Sequence, residues 1–364
     1  MAITLAQSKV GMADKVDIAI IDSFGRKSFL LNALVFDNAV SPGTGGSTLT
    51  YGYLQLKTPS SAAVRAVNSE YTAGEAIKEK KSADCAIMGG SYEIDRVLIG
   101  TAGALNELGF QIDQKTTATV NLFHYLVING VAASHKFDGL NVLLADTENE
   151  FSSGLDISTS AKAKSAGNEL VDQLDALCHA VDGGADMLLM NEAMLLKVRS
   201  CARAAGYYSR SEDAFGRPVE LFGNIPMLDL GKYYNGSATV DVVPTRSADE
   251  YREHAVTADT FTTDGTLYTK SGSTYTAVSS GSYSSSTTYY IKVAAAKTTD
   301  IYAVRVGLDG FCGFSPVGDK LVKSYTPDLT APGAVKKGEI EIVAGVALKN
   351  TKAAAVLRGI QIKA

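Results

Sequence analysis

The chain has 364 residues, of which 46% are hydrophobic and 20% charged, and its formal net charge is −5. This is an ordinary globular balance, with enough apolar material for one large domain or a few smaller ones. The slight acidic excess argues against a protein that binds nucleic acid through a generally basic surface, although a local basic patch stays open. The four cysteines and four histidines are scattered without zinc spacing, so we expect reduced, mostly buried thiols.

Targeting signals are the next feature to consider. The first residues lack the basic and apolar regions of a signal peptide. No stretch approaches the roughly 20 apolar residues of a membrane span. The sequence therefore predicts a cytoplasmic protein with no membrane partner.

The first ninety or so residues contain too little apolar material for a core of their own. An apolar cluster at 29–36 follows helical pieces, and the Pro- and Gly-rich run 42–47 breaks the chain. Alternation over 48–57, with Leu49, Tyr51 and Tyr53 on one face, predicts a strand. The stretch 43–90 is then predicted to form two long strands that extend away from the rest of the chain. Because an isolated hairpin is marginal in water, it must lie on its own body or on a neighbour.

The next elements are predicted from helical spacing and turn residues. A long apolar stripe predicts a helix of about seven turns that ends at Asn129-Gly130. A second helix carries Leu170 to Val181 on one face, a short buried strand covers 185–190, and Asn191 caps a third helix that ends at Gly206. Short strands follow at 219–222, 227–230, 240–243, 301–308, 339–348 and 353–362. The class is α+β with segregated elements.

Residues 257–290 differ from the rest in being rich in Ser, Thr, Gly and Tyr. Such a composition is typical of a disordered loop. The recurring tyrosines instead favour a small β insertion in which each ring packs over a neighbouring strand. They are Tyr268, Tyr275, Tyr283, Tyr289 and Tyr290.

Candidate chemical motifs are few. The run 43–47 lacks the ending of a phosphate loop, and no G-x-S-x-G elbow occurs. His124 lies inside the long helix, where a packed or interface histidine is the simpler interpretation. Adjacent Cys178 and His179 point about 100° apart on a helix and form no nucleophile–base pair. The sequence therefore predicts no catalytic, cofactor-binding or metal-binding residue, and a protein that is not an enzyme.

Several short segments, in the same order along the chain, resemble the major capsid proteins of tailed bacteriophages, which have the Hong Kong 97-like fold. Residues 3–7 and 29–37 resemble that family's N-terminal arm, and 65–71 its extended loop. Residues 89–96 resemble the strand that returns toward the long spine helix. Residues 128–130 with 137–140 resemble the exit of that helix, and 215–219 with 224–226 the strands of the axial domain.

The resemblance implies a division of the chain. The units are an N-terminal arm at 1–42, an extended loop at 43–90, a peripheral domain with the spine helix at 91–165, an axial domain at 166–256, a Tyr/Ser/Thr-rich β insertion at 257–299, and return strands of both domains at 300–364. The insertion departs from the family pattern.

The resemblance also implies a function. Copies would join into hexamers and pentamers of an icosahedral phage head, which is assembled in the host cytoplasm and encloses double-stranded DNA without reading its sequence. Portal, scaffolding and decoration or cement proteins would be partners, and the mature location would be the virion capsid. No cofactor is implied. The predicted contacts with neighbouring subunits are Phe29, Leu30, Leu34, Phe36, Tyr51, Tyr53, Arg65 and Tyr71.

Two questions stay open from the sequence. Some relatives cross-link subunits through a Lys–Asn isopeptide bond, for which Lys57 and Asn350 are the candidates in this chain. The alternatives to a phage head are an encapsulin-type bacterial compartment with the same fold and, from a different class, a monomeric sugar-binding protein or hydrolase whose Tyr-rich segment is the binding face.

Overall fold

A computed structural model describes residues 28–38, 49–58, 60–95, 97, 107–133, 135–205, 208–212, 218–257, 261, 266–271, 274–278, 283–316, 321–328 and 330–363. The helical pieces predicted before residue 28 and the break at 42–47 lie outside the described residues. So does Gly206, the predicted end of the third helix. None of the helices within the described ranges is long and apolar enough to cross a membrane.

Helices and strands alternate irregularly along the chain. In order they are α1 (Phe29–Ala33), β1 (Phe36–Asn38), β2 (Thr50–Thr58), β3 (Ile77–Asp84), β4 (Ala86–Asp95), α2 (Glu107–Asn129), α3 (Leu140–Leu143), β5 (Glu150–Ser152), α4 (Ser160–Ser165), α5 (Gly167–Ala180), β6 (Met187–Met190), α6 (Glu192–Ala205), β7 (Tyr208–Glu212), β8 (Pro218–Phe222), β9 (Ile225–Asp229), β10 (Lys232–Tyr234), β11 (Thr239–Asp241), β12 (Arg246–His254), β13 (Leu267–Ser271), β14 (Thr274–Ala277), β15 (Tyr289–Val304), β16 (Phe311–Ser315), β17 (Leu321–Tyr325), β18 (Val335–Leu348) and β19 (Ala354–Lys363).

A five-stranded sheet is built around the long strand β18. Strands β4, β16 and β17 pair with it antiparallel, and β1 pairs parallel with β16. The long helix α2 packs on this sheet through Val120, Phe123 and Val127, whose side chains share a core with Met88 and Ile340. The leucines of α1 lie in the same core. This part of the fold therefore forms one packed helix-on-sheet unit.

The end of α2 follows the sequence prediction. The helix ends at Asn129, and the Gly130 amide still donates to the Leu126 carbonyl at 2.8 Å. A Cβ atom on Gly130 would lie 2.3 Å from the Phe137 carbonyl oxygen, so only glycine allows the chain to return this closely. The predicted stop at Asn129-Gly130 is confirmed, and its cause is the tight return of the chain.

A ten-stranded sheet forms the other half of the described structure. Its main path is β14-β13-β15-β6-β9-β8-β7, while β12 and β19 pair with β15, and β5 pairs with β19. Strand β6 is buried on both faces, with Leu188 and Met190 facing a core formed with α5 and α6, and Met187 and Leu189 facing the α2 core. The two cores therefore meet across this sheet.

Helix α6 begins as predicted. The Asn191 side chain accepts a hydrogen bond from the Met194 amide at 2.9 Å and donates to Thr299 Oγ1 at 2.8 Å. The first bond caps the helix, and the second joins the cap to β15. The predicted third helix and its cap are confirmed.

The Tyr-rich segment contains β13, β14 and the start of β15. Its aromatic rings contact each other, with centroid distances of 5.1 Å for Tyr275–Tyr290 and 5.4 Å for Phe261–Tyr289. However, β15 runs without interruption from Tyr289 to Val304, and its partner β12 begins at Arg246. The insertion is therefore an extension of the ten-stranded sheet, and its ladder crosses the predicted boundaries at 257 and 299.

Strand pairing also bears on two other predicted units. Strand β4 begins at Ala86 and already pairs with β18, so the ladder of the five-stranded sheet extends across the predicted end of the extended loop at residue 90. Strand β5 pairs with β19 in the ten-stranded sheet, and β19 lies in the stretch predicted as return strands of both domains. The assignment of residues 150–152 to the peripheral domain therefore stays a prediction.

Candidate assembly surfaces

The hairpin β2–β3 extends from the five-stranded sheet. Side chains of β2 alternate, so that Tyr51 and Tyr53 are buried while Leu54 and Leu56 are 64% and 56% exposed. The Tyr51 ring stacks on Phe314 with a centroid distance of 4.9 Å. The base of the hairpin therefore lies on its own body, and its other face is open to solvent.

Three side chains from distant parts of the chain meet at this base. Lys349 Nζ lies 2.8 Å from Asp37 Oδ2, and the Tyr51 hydroxyl donates to the same oxygen at 2.5 Å. Burial opposes ionisation of Asp37, but hydrogen bonds from Lys349, Tyr51 and the Asn38 amide outweigh it and lower the pKa of this carboxyl group. Burial and the adjacent Asp37 raise the pKa of Tyr51 to about 12. We call Asp37, Tyr51 and Lys349 the latch.

The latch leads to a prediction of modest size. We expect Tyr51→Phe to lower the free energy of unfolding by about 1 kcal/mol, because it removes one hydrogen bond to a charged, part-buried group. Urea unfolding of the unassembled subunit would measure this. The control is Tyr325→Phe, since Tyr325 is 51% exposed. Equal stability of Tyr51→Phe and the wild type would show that the Tyr51 hydroxyl contributes nothing to stability.

The tip of the hairpin, residues 60–76, is exposed at every position. The Arg65 guanidinium donates to the Ser69 carbonyl at 3.1 Å and lies 5.3 Å from the centroid of the Tyr71 ring. The aliphatic side chains of Val64 and Val67 have exposed fractions of 101% and 89%. The tip is thus an internally bonded loop whose valines are almost fully exposed to solvent.

Solved structures share this architecture. The chain is similar to the holo-SrpI encapsulin complex from Synechococcus elongatus PCC 7942, with a TM-score of 0.52 and 13% identity over 91% of this chain and 87% of that chain. It is also similar to the capsid of an empty GTA particle, with a TM-score of 0.50 and 13% identity over 92% and 90%. The chain has the Hong Kong 97-like fold. No protein-family model matches the chain, and neither does any curated protein sequence.

In the terms of the Hong Kong 97-like fold, the β2–β3 hairpin with its tip is the extended loop and α2 is the spine helix. The predicted arm contacts differ in how far they are buried in their own subunit. Leu30 and Leu34 are 1% and 4% exposed and lie in the α2 core, so they have little surface left for a neighbour. Phe29 and Phe36 pack against this core but are only partly buried. The contact of these four residues with a neighbouring subunit stays a prediction.

The predicted contacts on the extended loop divide into two groups. Tyr51 and Tyr53 are 7% and 9% exposed and belong to a cluster with Phe314 and Val343, so they have little surface left for an intersubunit contact, which stays a prediction. Arg65 and Tyr71 lie on the exposed tip, and their contact with a neighbour stays a prediction.

The position of the arm also changes how its role can be tested. Deleting residues 1–36 is expected from the sequence to leave a soluble body that no longer closes into shells. That deletion would also remove Leu30, Leu31 and Leu34 from the core, together with the bond between Ser28 and His124. Loss of shells after this deletion could then be caused by unfolding of the subunit as well as by loss of a contact between the arm and a neighbour. A deletion of residues 1–27 leaves these contacts in place.

Lys57 and Asn350, the cross-link candidates, line one groove of about 1160 Å³ between the extended loop and the body. The Asn350 amide donates to Asp182 Oδ2 at 3.3 Å, and its side-chain oxygen accepts from the Lys352 amide at 2.9 Å. Asn350 therefore caps the short 3₁₀ turn that follows it. The structure brings both residues together within one chain, whereas the predicted bond joins two subunits, so the cross-link stays a prediction.

Reactive groups in the described ranges are few. Burial raises the pKa of Cys178 to about 11, which disfavours the nucleophilic thiolate. His124 is buried and bonded to Ser28 Oγ at 2.6 Å and to the Leu230 carbonyl at 3.2 Å, as expected for a packed histidine. No group of three or more His, Cys, Asp or Glu side chains in these ranges is placed to hold a metal ion.

Sequence reasoning missed Asp37 and Lys349 of the latch and the exposed valines of the tip. The latch residues are 312 positions apart, and no local pattern connects them. Val64 and Val67 stand among small residues in the sequence, so only the flanking hairpin strands mark them as the end of an exposed loop.

Proposed function

We propose that this chain is the major capsid protein of a tailed bacteriophage, a structural subunit and not an enzyme. The observation that carries the proposal is the extended loop. Its base is fixed to the subunit body, while its outer face and tip expose Leu54, Leu56, Val64, Val67, Tyr71 and Ile77 to solvent. Apolar side chains grouped on one surface mark an interaction site, and a loop that extends from its own body offers them to another molecule.

Assembly would follow from many weak contacts. Burial of apolar surface contributes about 25 cal/mol per Å², so one loop on one neighbour gives only a weak contact. In a closed shell each subunit makes several such contacts at once, and multivalency makes the whole stable. In the proposed function the copies form hexamers and pentamers of an icosahedral head. The arm, extended loop, peripheral and axial domains would keep the roles that their resemblance implies.

Other parts of the proposal concern partners and location. The subunit would assemble in the host cytoplasm, with scaffolding and portal proteins as partners, and would enclose double-stranded DNA without sequence-specific contacts. A net charge of −5 suits an inner wall that must not bind DNA tightly. The mature particle would be the virion capsid, with decoration or cement proteins on its surface.

A second candidate function is an encapsulin-type compartment shell. It rests on the likeness to the encapsulin complex, with a TM-score of 0.52, and the likeness to the GTA capsid, with a TM-score of 0.50, supports the phage reading equally. Both candidates predict closed shells and differ in what the shell contains. A monomeric sugar-binding protein or hydrolase predicts no shell at all.

Size-exclusion chromatography and negative-stain microscopy of the purified full chain test the shared part of the proposal. We expect closed shells or capsomers. A compact monomer whose melting temperature rises with a sugar ligand would contradict it. The contents of shells recovered from the native source then separate the two candidates: double-stranded DNA supports a phage head, and an enzyme cargo supports an encapsulin-type compartment.

A further inference from the structure

We propose that Asn235 is a self-modification site, at which the backbone nitrogen of Gly236 and a water molecule convert the side-chain amide to a carboxylate. The inference goes beyond the proposed shell function, because the reaction takes place within one subunit. The sequence contains two Asn-Gly pairs, at 129–130 and 235–236. Their surroundings in the structure differ in every feature that this reaction needs.

Asn235 and Gly236 lie in the exposed turn between β10 and β11. The Asn235 amide donates to the Ala238 carbonyl at 3.1 Å, which closes the turn. Gly236 has a φ of 96°, a left-handed backbone conformation that glycine adopts without strain. Its amide hydrogen has no acceptor within the described residues. The nitrogen that follows Asn235 is therefore neither held by a hydrogen bond nor crowded by a side chain of its own residue.

The side-chain carbonyl of Asn235 is held by two backbone donors. The amides of Ser237 and Ala238 donate to Asn235 Oδ1 at 3.0 Å and 2.9 Å. When a nucleophile attacks the Cγ atom, negative charge develops on this oxygen. Fixed N–H donors aimed at such an oxygen stabilise the tetrahedral intermediate, as in an oxyanion hole. The turn therefore favours attack on Cγ.

The reaction has two steps and needs only water. The Gly236 nitrogen loses its proton to hydroxide and forms a bond to Asn235 Cγ, which is favoured because the two atoms belong to adjacent residues. The bond from Cγ to the side-chain nitrogen breaks, and ammonia leaves with a proton taken from water. Water then adds to either carbonyl carbon of the resulting five-membered succinimide, and the ring C–N bond breaks with return of a proton to nitrogen. The products are aspartate and isoaspartate.

The other Asn-Gly pair ends α2 and lacks these features. The Asn129 side chain donates to the Val242 carbonyl at 2.6 Å, and the Gly130 amide donates to the Leu126 carbonyl at 2.8 Å. Gly130 is also buried. Its nitrogen would have to leave a helical hydrogen bond before it could attack. Folding should therefore slow the reaction at Asn129 and accelerate it at Asn235.

The product changes the charge and the backbone of the turn. Asn235 lines a cleft of about 670 Å³ that Lys232 and Lys297 also line. A carboxylate there adds one negative charge near two lysines and makes the formal net charge one unit more negative than −5. Isoaspartate also lengthens the main chain of a turn that joins two strands of 3 residues each. We expect the β10–β11 hairpin to loosen in the modified chain.

The first experiment incubates the full chain in mildly alkaline buffer, folded or unfolded in guanidinium chloride, and follows both Asn-Gly pairs by peptide mass spectrometry. In the folded chain we expect Asn235 to react at least about tenfold faster than Asn129, because one fixed donor to an oxyanion is worth about 100-fold in a buried enzyme site and less in an exposed turn. In the unfolded chain the two rates should be similar.

Two results of this experiment would contradict the inference. Equal rates at the two pairs in the folded chain, or no reaction at Asn235, would overturn the modification site. A slower reaction at Asn235 in the folded chain than in the unfolded chain would overturn the role of the Ser237 and Ala238 amides. Each result is independent of whether the chain forms shells.

The second experiment measures the ammonia that the folded chain releases. Asn235→Gln keeps a side-chain amide but adds one methylene group, so attack would have to close a six-membered ring, which forms more slowly. We expect the variant to release far less ammonia than the wild type over the same time. Release at the wild-type level would show that the ammonia comes from another residue and would overturn the assignment to Asn235.

Discussion

Replacing Asp300 with asparagine is expected to lower the free energy of unfolding by about 3 kcal/mol, the lower end of the cost of breaking a buried ion pair. Asp300 lies in β15 and is fully buried. Its Oδ2 atom forms an ion pair with Arg246 and lies 3.3 Å from Arg358 Nη1, while Oδ1 accepts from the Gly359 amide at 3.2 Å. An asparagine would leave two guanidinium groups facing an amide.

The ion pairs of Asp300 belong to a cluster of side chains that joins several helices and strands. Breaking these ion pairs should therefore destabilise more than β15 alone. Arg358 of β19 also pairs with Glu150 of β5 and donates to the side chain of Asn141 in α3. Chemical denaturation of the unassembled subunit would measure the change. Glu339→Gln is the control, since the Lys337–Glu339 pair has side chains 54% and 44% exposed. A midpoint for Asp300→Asn equal to that of the control would contradict the role given to this cluster.

Lowering the pH from about 7 toward 4 is expected to destabilise the subunit through His124, by up to about 3 kcal/mol. Burial lowers the pKa of His124 to about 4, partly opposed by the hydrogen bond to the Leu230 carbonyl. The unfolded chain takes up this proton near pH 6.5, whereas the folded chain resists until about pH 4. The unfolded state therefore binds more protons across this window. The contribution to stability is present above pH 6.5 and is lost as the pH falls toward 4.

The variant His124→Gln isolates this contribution. A glutamine amide can donate toward Leu230 and accept from Ser28, but it does not titrate. The unfolding free energy of the variant should depend less steeply on pH between 7 and 4.5 than that of the wild type. Identical slopes for the wild type and His124→Gln would show that His124 carries no such proton linkage.

Much of the fold could be predicted from short stretches of sequence, because helix periodicity, capping and turns depend on residues close together in the chain. The apolar stripe predicts α2, and Asn129-Gly130 predicts its end. Asn191 predicts the start of α6, because its side chain caps the helix three residues further on. Strand β16 was not predicted as a separate strand. All five of its residues are buried, so it shows no alternation of the kind that marks a half-buried strand.

The residues that contact other subunits are harder to predict, because a hydrophobic side chain can be buried either in the core of its own subunit or in an interface with another copy. The same run of Phe and Leu in the arm fits a neighbour's surface or its own α2 core. The burial of Leu30 and Leu34 beside Phe123 shows that these two leucines lie in their own core. The arrangement at the tip depends on the turn at Asn68, which single-residue preferences do not determine. The latch depends on contacts between residues far apart in the chain, for which one sequence carries no signal.

We propose that this chain builds a shell in which the extended-loop tip contacts the next copy while the arm leucines stay in their own subunit. Cryo-electron microscopy of particles assembled from the full chain tests it most directly. We expect density for Val64 and Val67 against a neighbouring subunit, with Leu30 and Leu34 buried beside Phe123 of the same chain. Particles whose tips project into solvent, or a purified chain that stays monomeric, would contradict it.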